Sequence, residues 1–299
     1  MKAEIFVLYH AHCNDGMASA WVCWRKFGDA ATYMPVYYQR PIPEGIPDGA
    51  KVYIVDFSYP RRELSELSAR CDVVVIDHHE NAMNDLSGFS NAIFNMDRCG
   101  AISTWQHFFP EEPVPLMLKY VDDRDRWQHK LLLTRQIYAA MRRSLPYKGE
   151  GFDLWNKWVT MSDDEFVEEV GGEGQPIFEK RMIATRKMAH RHAWIEIAGY
   201  KVPFAFAPKY WSDVGNLLCQ LYLEYPFAAC WSLENGDLKI HLRSLGFNTV
   251  AIATKFGGDG RGPTSGFSMP LPRFWSLKWF AARFFGVPVQ LQIPATENI

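Results

Sequence analysis

Carboxylate and imidazole side chains occur in several short polar clusters of this chain, and such side chains bind divalent metal ions in proteins. The clusters contain His10, His12, Cys13, Asp15, Asp56, Asp77, His78, His79, Asp122, Asp123 and Asp125. This donor set suits Mn²⁺ or Mg²⁺, with zinc, cobalt and iron as alternatives. Carboxylates held close together repel one another unless a cation lies between them. Two cations about 3.5–4 Å apart, bridged by a shared carboxylate, would activate a water molecule and bind a phosphoryl group.

The elements that must position these side chains form an alternating pattern. Apolar runs rich in Val, Ile and aromatic residues predict strands over residues 5–9, 32–38, 52–55 and 73–76, with helices over 17–27 and 61–69. Buried strands separated by helices predict an α/β fold with a doubly wound, mostly parallel sheet. Functional residues of such sheets lie just beyond the carboxyl ends of the strands. Polar residues follow three of the predicted strands, at 10–16, 56–58 and 77–80.

Each cluster taken alone also has a simpler structural interpretation. Adjacent histidines after a strand, such as His78 and His79, are commonly residues of the surface or the core rim. Asp56 precedes a Ser-Tyr-Pro segment at 58–60, and such an aspartate is commonly a helix cap. The charged run 122–125 is also typical of a solvated helix face. The metal-site interpretation depends on the recurrence of acidic clusters at successive strand ends, which this fold brings to one edge.

The rest of the chain predicts a helical region followed by a second α/β pattern. Residues 100–193 are mostly helical in pattern, with interruptions predicted over 110–115, 145–151 and 171–176 and a connecting helix predicted over 177–194. Beyond them, strands are predicted over 201–207, 227–233 and 238–243, and helices over 212–225 and 250–256. A glycine-rich segment, 257–262, then follows.

At this point the motifs carry a family resemblance. Residues 75–79, Val-Ile-Asp-His-His, resemble the signature of the DHH phosphoesterase superfamily. Residues 9–16, 55–58 and 120–127 are similar to its first, second and fourth motifs. Residues 241–244 and the glycine-rich segment up to 267 resemble the DHH-associated C-terminal domain, in which a strand arginine precedes such a loop. The resemblance extends over residues 5–267.

The resemblance implies a role for each matching residue. A first metal would be bound by His10 and Cys13, a second by Asp15, His78 and Asp123, and Asp56 would bridge the two. Asp77 would orient His78, and His79 would act as a hydrogen-bond donor or general acid toward the substrate. The substrate phosphate would be held by backbone N–H groups and guanidinium groups of Arg243, Gly257, Gly258, Gly260 and Arg261.

Two residues depart from the family pattern. Cys13 stands where the first motif usually has aspartate, with one residue fewer after the histidine. A thiolate there favours zinc, iron or cobalt, although His12 or a water molecule is an alternative ligand to Cys13. Arg261 stands where the glycine-rich loop normally ends in histidine, so a phosphate donor is retained and a titratable group is lost.

The resemblance implies four segments, namely a DHH catalytic domain over 1–150, a helical connector over 151–195, a smaller α/β substrate-binding domain over 196–270 and a C-terminal extension over 271–299. It implies a metal-dependent phosphodiesterase that hydrolyses short single-stranded RNA or DNA, or linear or cyclic dinucleotides. One alternative is a phosphoanhydride hydrolase acting on pyrophosphate or polyphosphate. A third interpretation is a nucleotide-binding regulator that has lost catalysis, which the departures at Cys13 and Arg261 suggest.

Composition adds three expectations. The net charge of −2 combines +5 over residues 239–299 with −7 over the rest, so no global excess of charge indicates a polyanion partner. Six scattered cysteines without a CxxC pair, no predicted membrane span and no recognisable signal peptide predict a cytoplasmic protein. The basic, aromatic tail at 273–285 fits base stacking, an interfacial helix or a homodimer contact, but we favour a helix packed on the second domain.

Overall fold

A computed structural model describes residues 4–11, 13–38, 40–145, 151–234, 236–270 and 292–293. The chain divides into two compact units, Met1–Glu179 and Lys180–Ile299. His12 and most of the expected extension at 271–299 lie outside the described residues, so the helix predicted at 273–285 stays a prediction. The four expected segments likewise stay a prediction.

The first unit is built on a five-stranded parallel sheet. Its strands are β1 (Ile5–His10), β2 (Ala31–Val36), β3 (Lys51–Val55), β4 (Asp72–Asp77) and β5 (Ala92–Phe94), in the order β2-β1-β3-β4-β5. Every neighbouring pair is parallel, which confirms the predicted sheet. The pattern did not indicate β5, which is only three residues long.

Helices cover both faces of this sheet. They are α1 (Asn14–Phe27), α2 (Arg61–Ser68), α3 (Glu80–Asp85), α4 (Gly100–Phe108), α5 (Leu116–Asp125), α6 (Thr134–Met141), α7 (Gly151–Val159) and the first part of α8 (Asp163–Ala189). Alternate residues of β1 enter different cores: Val7 packs in the core that contains Trp21 and Trp105, whereas Phe6 and Leu8 pack in the core on the other face. Burial on both faces explains why these strands are continuous apolar runs.

The strand order places three polar strand ends side by side. β1 lies between β2 and β3 in the sheet. After β1 the chain forms β2 on one side of it, and then forms β3 on its other side. A crevice forms at such a switch point, at the carboxyl ends of the strands. The residues that end or follow β1, β3 and β4 are His10, Asp56 and Asp77.

Helix α8 runs through the segment where glycines and a proline predicted an interruption at 171–176. A Cβ atom on Gly174 would lie 1.9 Å from the backbone oxygen of Gln136, and one on Gly171 would lie 2.8 Å from Leu133 Cδ1. These glycines therefore permit close packing rather than a break. The helix predicted over 177–194 begins earlier and ends at Ala189.

The second unit contains a seven-stranded mixed sheet. Its strands are β6 (Ala193–Ile197), β7 (Tyr200–Phe206), β8 (Ala228–Glu234), β9 (Asp237–Arg243), β10 (Asp259–Arg261), β11 (Thr264–Pro270) and β12 (Gln292–Ile293), in the order β10-β11-β9-β8-β7-β6-β12. Helices α9 (Trp211–Leu221) and α10 (Val250–Thr254) complete the unit. Part of the expected glycine-rich loop is strand β10, which pairs antiparallel with β11.

Within the part of the chain that the structure describes, none of the helices is both long and apolar enough for a membrane span.

Candidate metal centre

Asp56 is the central residue of the polar crevice in the first unit. It directly follows β3, is buried, and adopts a left-handed backbone conformation with φ of 53°, which is uncommon for residues other than glycine. Its N–H donates to the backbone oxygen of Ile76 at 3.0 Å. Its side chain does not cap α2, because Pro60 occupies the N-cap position of that helix. The carboxylate instead faces donors from two other parts of the fold.

One carboxylate oxygen of Asp56 faces the start of α1. The thiol of Cys13 donates to Oδ2 at 3.2 Å, and His10 Nδ1 lies 3.5 Å from the same oxygen. Cys13 is also the N-cap of α1, accepting a hydrogen bond from Gly16 N at 3.1 Å. A Cβ atom at Gly16 would lie 2.0 Å from the backbone oxygen of His10. Only glycine there lets the helix begin so close to β1, which brings His10 and Cys13 together.

The other oxygen of Asp56 faces a second set of donors. His78 Nε2 lies 3.2 Å from Asp56 Oδ1, 3.5 Å from Asp15 Oδ2 and 3.8 Å from Asp125 Oδ2. His10, Cys13 and Asp56 form one group able to hold a metal ion, and Asp15, His78 and Asp125 form another. Asp56 and His78 also form a group with Asp77 and His79.

The N-terminus of α4 fixes Asp15. The N–H groups of Gly100 and Ala101 donate to Asp15 Oδ2 and Oδ1 at 2.8 and 2.7 Å, and the positive end of the helix dipole stabilises the carboxylate. A Cβ atom on Gly100 would lie 2.7 Å from the Cβ of Asp56. The first residues of α4 therefore hold the Asp15 carboxylate in place.

Asp77 orients His79, whereas the resemblance implied that it orients His78. His79 Nδ1 lies 2.6 Å from Asp77 Oδ1, which also accepts from the backbone N–H of His78 at 2.7 Å. The hydroxyl of Ser58 donates to Asp77 Oδ2 at 2.7 Å. Nε2 of His79 lies 3.4 Å from the Tyr38 hydroxyl, and the His79 side chain is 38% exposed.

Asp123 has different partners from those the resemblance implied. Its carboxylate accepts from the N–H groups of Lys130 and Leu131 at 2.9 and 3.2 Å and from the Thr134 hydroxyl at 2.5 Å. Asp125 is the residue of α5 that lies beside His78.

Helical spacing could have identified Asp125 from the sequence. Asp122 and Asp125 are three residues apart and so share one face of α5. The N–H of Cys99, at the start of α4, donates to Asp122 Oδ1 at 2.7 Å. Asp123 lies about 100° around the helix from its neighbour Asp122, and so points away from this face. Residues 99–101 also resemble a small-residue segment that the family has near its metals, but the close contact between Gly100 and Asp56 depends on tertiary packing.

Burial and the interactions among Asp15, Asp56 and His78 set the pKa values of these side chains. Burial, and then the charges of Asp56 and Asp125, raise the pKa of Asp15 well above its usual range. Burial opposes ionisation of Asp56, but hydrogen bonds from His10 and His78 hold its pKa well below normal. Burial opposes protonation of His78, but its hydrogen bond to Asp56 and nearby carboxylates raise its pKa to about 10.

The chemistry of these donors fits divalent cations. Burial and the neighbouring carboxylates raise the pKa of the Cys13 thiol. Buried carboxylates that raise one another's pKa are stabilised by a cation placed between them, and ligation would displace the proton from the thiol and from His78. Their oxygen, nitrogen and sulfur atoms suit Mn²⁺, zinc, cobalt or iron.

The residues expected to bind substrate lie in the second unit. Arg243 Nη2 donates to Ser212 Oγ at 2.8 Å and Nη1 donates to the backbone oxygen of Leu242 at 2.7 Å. Thr264 of β11 pairs with Arg243 on one side and with Arg261 on the other, so these backbone positions form one row across three strands.

The glycines of this unit allow close backbone packing. Cβ atoms at Gly258 and Gly260 would lie 2.2 Å from the backbone oxygen of Gly266 and 2.3 Å from Ser265, respectively. Gly257 has φ of 71°, a left-handed conformation that favours glycine.

The chain was compared with protein-family models, with curated proteins and with solved structures. No family model matches the chain. An uncharacterized protein of Acanthamoeba polyphaga mimivirus is 30% identical over 285 residues, covering 87% of this chain. The chain spans 66% of the length of that relative.

Solved structures share the fold at low sequence identity. The DHH domain of a member of a family of ribosomal proteins is 14% identical, with 94% of this chain and 86% of that chain covered and a TM-score of 0.59. RecJ from Thermus thermophilus, in complex with Mn²⁺, is 17% identical, with 94% and 51% covered and a TM-score of 0.52. The pGpG-specific phosphodiesterase PggH from Vibrio cholerae is 14% identical, with 94% and 98% covered and a TM-score of 0.51. These matches show that the chain shares its fold with these three proteins, one of which is a DHH domain.

Proposed function

We propose that this protein is a metal-dependent phosphodiesterase that uses two divalent cations, with Mn²⁺ as the preferred metal. The observation that carries the proposal is the orientation of Asp56. Its Oδ2 faces Cys13 and His10, and its Oδ1 faces His78 of a separate donor group. A buried carboxylate with one oxygen toward each of two donor groups suits a ligand that bridges two cations.

The ligand assignment follows from the two groups. His10, Cys13 and Asp56 would hold one cation, and Asp15, Asp56, His78 and Asp125 the other. We assign Asp125 in place of Asp123, because the carboxylate of Asp123 is hydrogen-bonded to the segment after α5. When bound, the cations supply Lewis-acid activation of water and neutralise negative charge on the phosphoryl group.

His79 is proposed as the residue that acts on the leaving oxygen. Asp77 fixes its ring at 2.6 Å, and burial opposes protonation of His79, but the charge of Asp77 raises its pKa. A partly exposed imidazole held in this way can donate a hydrogen bond or a proton to a substrate oxygen. Tyr38 lies against the other ring nitrogen and limits its rotation.

The proposed substrates are short oligonucleotides or linear or cyclic dinucleotides. Proteins of this fold include a pGpG-specific phosphodiesterase and the exonuclease RecJ, which supports a phosphodiester of nucleotides. We propose that the second unit binds substrate through Arg243, Arg261 and the backbone of Gly257, Gly258 and Gly260, because guanidinium and N–H donors suit phosphate oxygens.

The test is a panel of substrates incubated with the protein and Mn²⁺. The panel contains di- to decanucleotides, a cyclic dinucleotide, a cyclic mononucleotide and pyrophosphate. The products are separated by chromatography. The matched variant is Asp56→Asn, because asparagine keeps the shape and tolerates the left-handed conformation at φ of 53°. We expect mononucleotide products from the wild type and at least about a hundredfold slower turnover by Asp56→Asn, since removing even a residue that supports a ligand costs about 10–100-fold.

Three other outcomes would contradict the proposal. Hydrolysis of pyrophosphate alone would indicate a phosphoanhydride hydrolase. Binding of nucleotides without any product, under every divalent metal tried, would indicate a regulator. Equal turnover by Asp56→Asn and the wild type would exclude the bridging role of Asp56.

A further inference from the structure

An arginine held against aromatic rings belongs to α5, the helix that carries Asp125, and the ligand assignment does not use it. The guanidinium carbon of Arg124 is 3.9 Å from the ring centroid of Trp127 and 5.2 Å from that of Tyr138. Arg124 belongs to α5 and Tyr138 to α6, so the cluster ties these two helices together. Cation–π contacts of this kind fix the plane of a guanidinium.

Three features relate this cluster to the centre. Arg124 immediately precedes Asp125, whose carboxylate lies 3.8 Å from His78 Nε2. Asn14, next to Cys13, is buried and donates its Nδ2 to the backbone oxygen of Tyr138 at 3.0 Å. Burial, and then the charge of Cys13, raise the pKa of the Tyr138 hydroxyl, while Arg124 opposes this effect. The Tyr138 hydroxyl therefore lies within electrostatic range of both Cys13 and Arg124.

The segment between α5 and α6 holds Trp127 in a strained conformation. Trp127, His129 and Leu133 all have positive φ, between 52° and 58°. Such conformations are energetically unfavourable for residues other than glycine and persist only where surrounding contacts enforce them. Here Asp123 supplies the contacts, since its carboxylate and its backbone oxygen accept hydrogen bonds from the N–H groups and the Thr134 hydroxyl along residues 128–134.

We propose that Arg124 binds an oxygen of the substrate phosphoryl group at the metal centre, with Trp127 as the positioning residue that sets its orientation. The proposal rests on the phosphodiesterase function given above. Stacking engages the face of a guanidinium, whereas phosphate binding uses the N–H groups in its plane, so both interactions can occur together. The carboxylates of Asp15, Asp56 and Asp125 repel an incoming phosphate, and a fixed positive charge beside them offsets this repulsion.

The experiment compares Arg124→Gln with Arg62→Gln, a control arginine whose side chain is 89% exposed on α2. Three quantities are measured: Mn²⁺ affinity by calorimetry, the affinity of the Mn²⁺-loaded protein for adenosine 5′-monophosphate, and kcat/KM for bis(p-nitrophenyl) phosphate. We expect Arg124→Gln to lower kcat/KM and mononucleotide affinity by about 10- to 100-fold, with Mn²⁺ affinity within about twofold. Arg62→Gln should match the wild type in all three.

Trp127 provides a second test that a purely structural role would not satisfy. Trp127→Leu should raise KM more than it lowers kcat, and Trp127→Phe should restore most of the loss, because an aromatic face again supports the guanidinium.

The outcomes separate this assignment from the proposed function. If the wild type hydrolyses no phosphodiester but binds the mononucleotide at least tenfold more tightly than Arg124→Gln, the function fails and the binding role of Arg124 stands. Mononucleotide affinity within twofold of the wild type, or a parallel loss of Mn²⁺ affinity in Arg124→Gln, would overturn the assignment.

Discussion

At the scale of single residues, two side chains determine the chemistry of the centre. Asp56 divides its oxygens between two donor groups because its backbone is held in a left-handed turn after β3. Cys13 both caps α1 and faces Asp56 with its sulfur. A thiol in this position makes the first group of donors softer than an all-carboxylate group.

The metal preference is expected to depend on Cys13. Cys13→Asp replaces sulfur with oxygen, so we expect affinity for zinc and cobalt to fall relative to Mn²⁺, by about tenfold or more, with activity in Mn²⁺ retained. Competition between zinc and Mn²⁺, followed by metal analysis of the dialysed protein, measures this ratio. An unchanged ratio would show that Cys13 is not a ligand.

At the scale of elements, the N-terminus of α4 organises the centre. Its first N–H groups fix both oxygens of Asp15, and the N–H of Cys99 contacts Asp122. The helix can approach only because Gly100 has no side chain, since a Cβ there would lie 2.9 Å from Asp56 Oδ1. Packing of a helix end therefore sets the position of the Asp56 carboxylate.

Gly100→Ala tests this dependence. We expect it to displace Asp56 or α4, to lower the free energy of unfolding by about 1–3 kcal/mol and to reduce turnover by at least about tenfold. Gly172→Ala in α8 is the control, because a Cβ there meets no atom within 4 Å. It should stabilise the helix by about 0.5–1 kcal/mol without changing turnover. Urea unfolding and a turnover assay measure both effects, and equal behaviour of the two variants would contradict this role of Gly100.

The elements of the fold and the residues of the candidate site were predictable to different extents. The parallel sheet was predictable because strands buried on both faces are continuous apolar runs. Helix α8 was not, because Gly171, Gly174 and Pro176 indicate a break, whereas Gly171 and Gly174 in fact allow close packing against Leu133 and Gln136. Asp125 was within reach of a helical-spacing argument, but the partners of Asp123 lie in a strained segment whose conformation only tertiary contacts determine.

At the scale of the whole molecule, the two units hold their histidine side chains in different electrostatic environments. The first unit gathers carboxylates and imidazoles at one sheet edge. The second has an imidazole in a very different environment, because His241 of β9 stacks on Trp211 with ring centroids 4.6 Å apart. Burial, and then the charges of Arg243 and Lys239, lower the pKa of His241 to about 3.

This shift predicts an acid-sensitive fold. A histidine in the unfolded chain has a pKa of about 6.5, so between pH values of about 6.5 and about 3 the unfolded state binds more protons at this position than the folded state. The stabilisation is complete above a pH of about 6.5 and is lost as pH falls, by up to about 1.4 kcal/mol per pH unit. Urea unfolding at pH values of about 7.5 and about 5 should show a smaller loss for His241→Phe, which keeps the stack and cannot titrate. Identical losses would exclude His241 as the cause.

The most direct test of the central claim is electron paramagnetic resonance of the protein loaded with two equivalents of Mn²⁺. The orientation of Asp56 predicts a spin-coupled signal from two ions that share a carboxylate, and Asp56→Asn should give only the signal of isolated ions at the same loading. Signals of isolated ions alone in the wild type, or no bound Mn²⁺, would contradict the account.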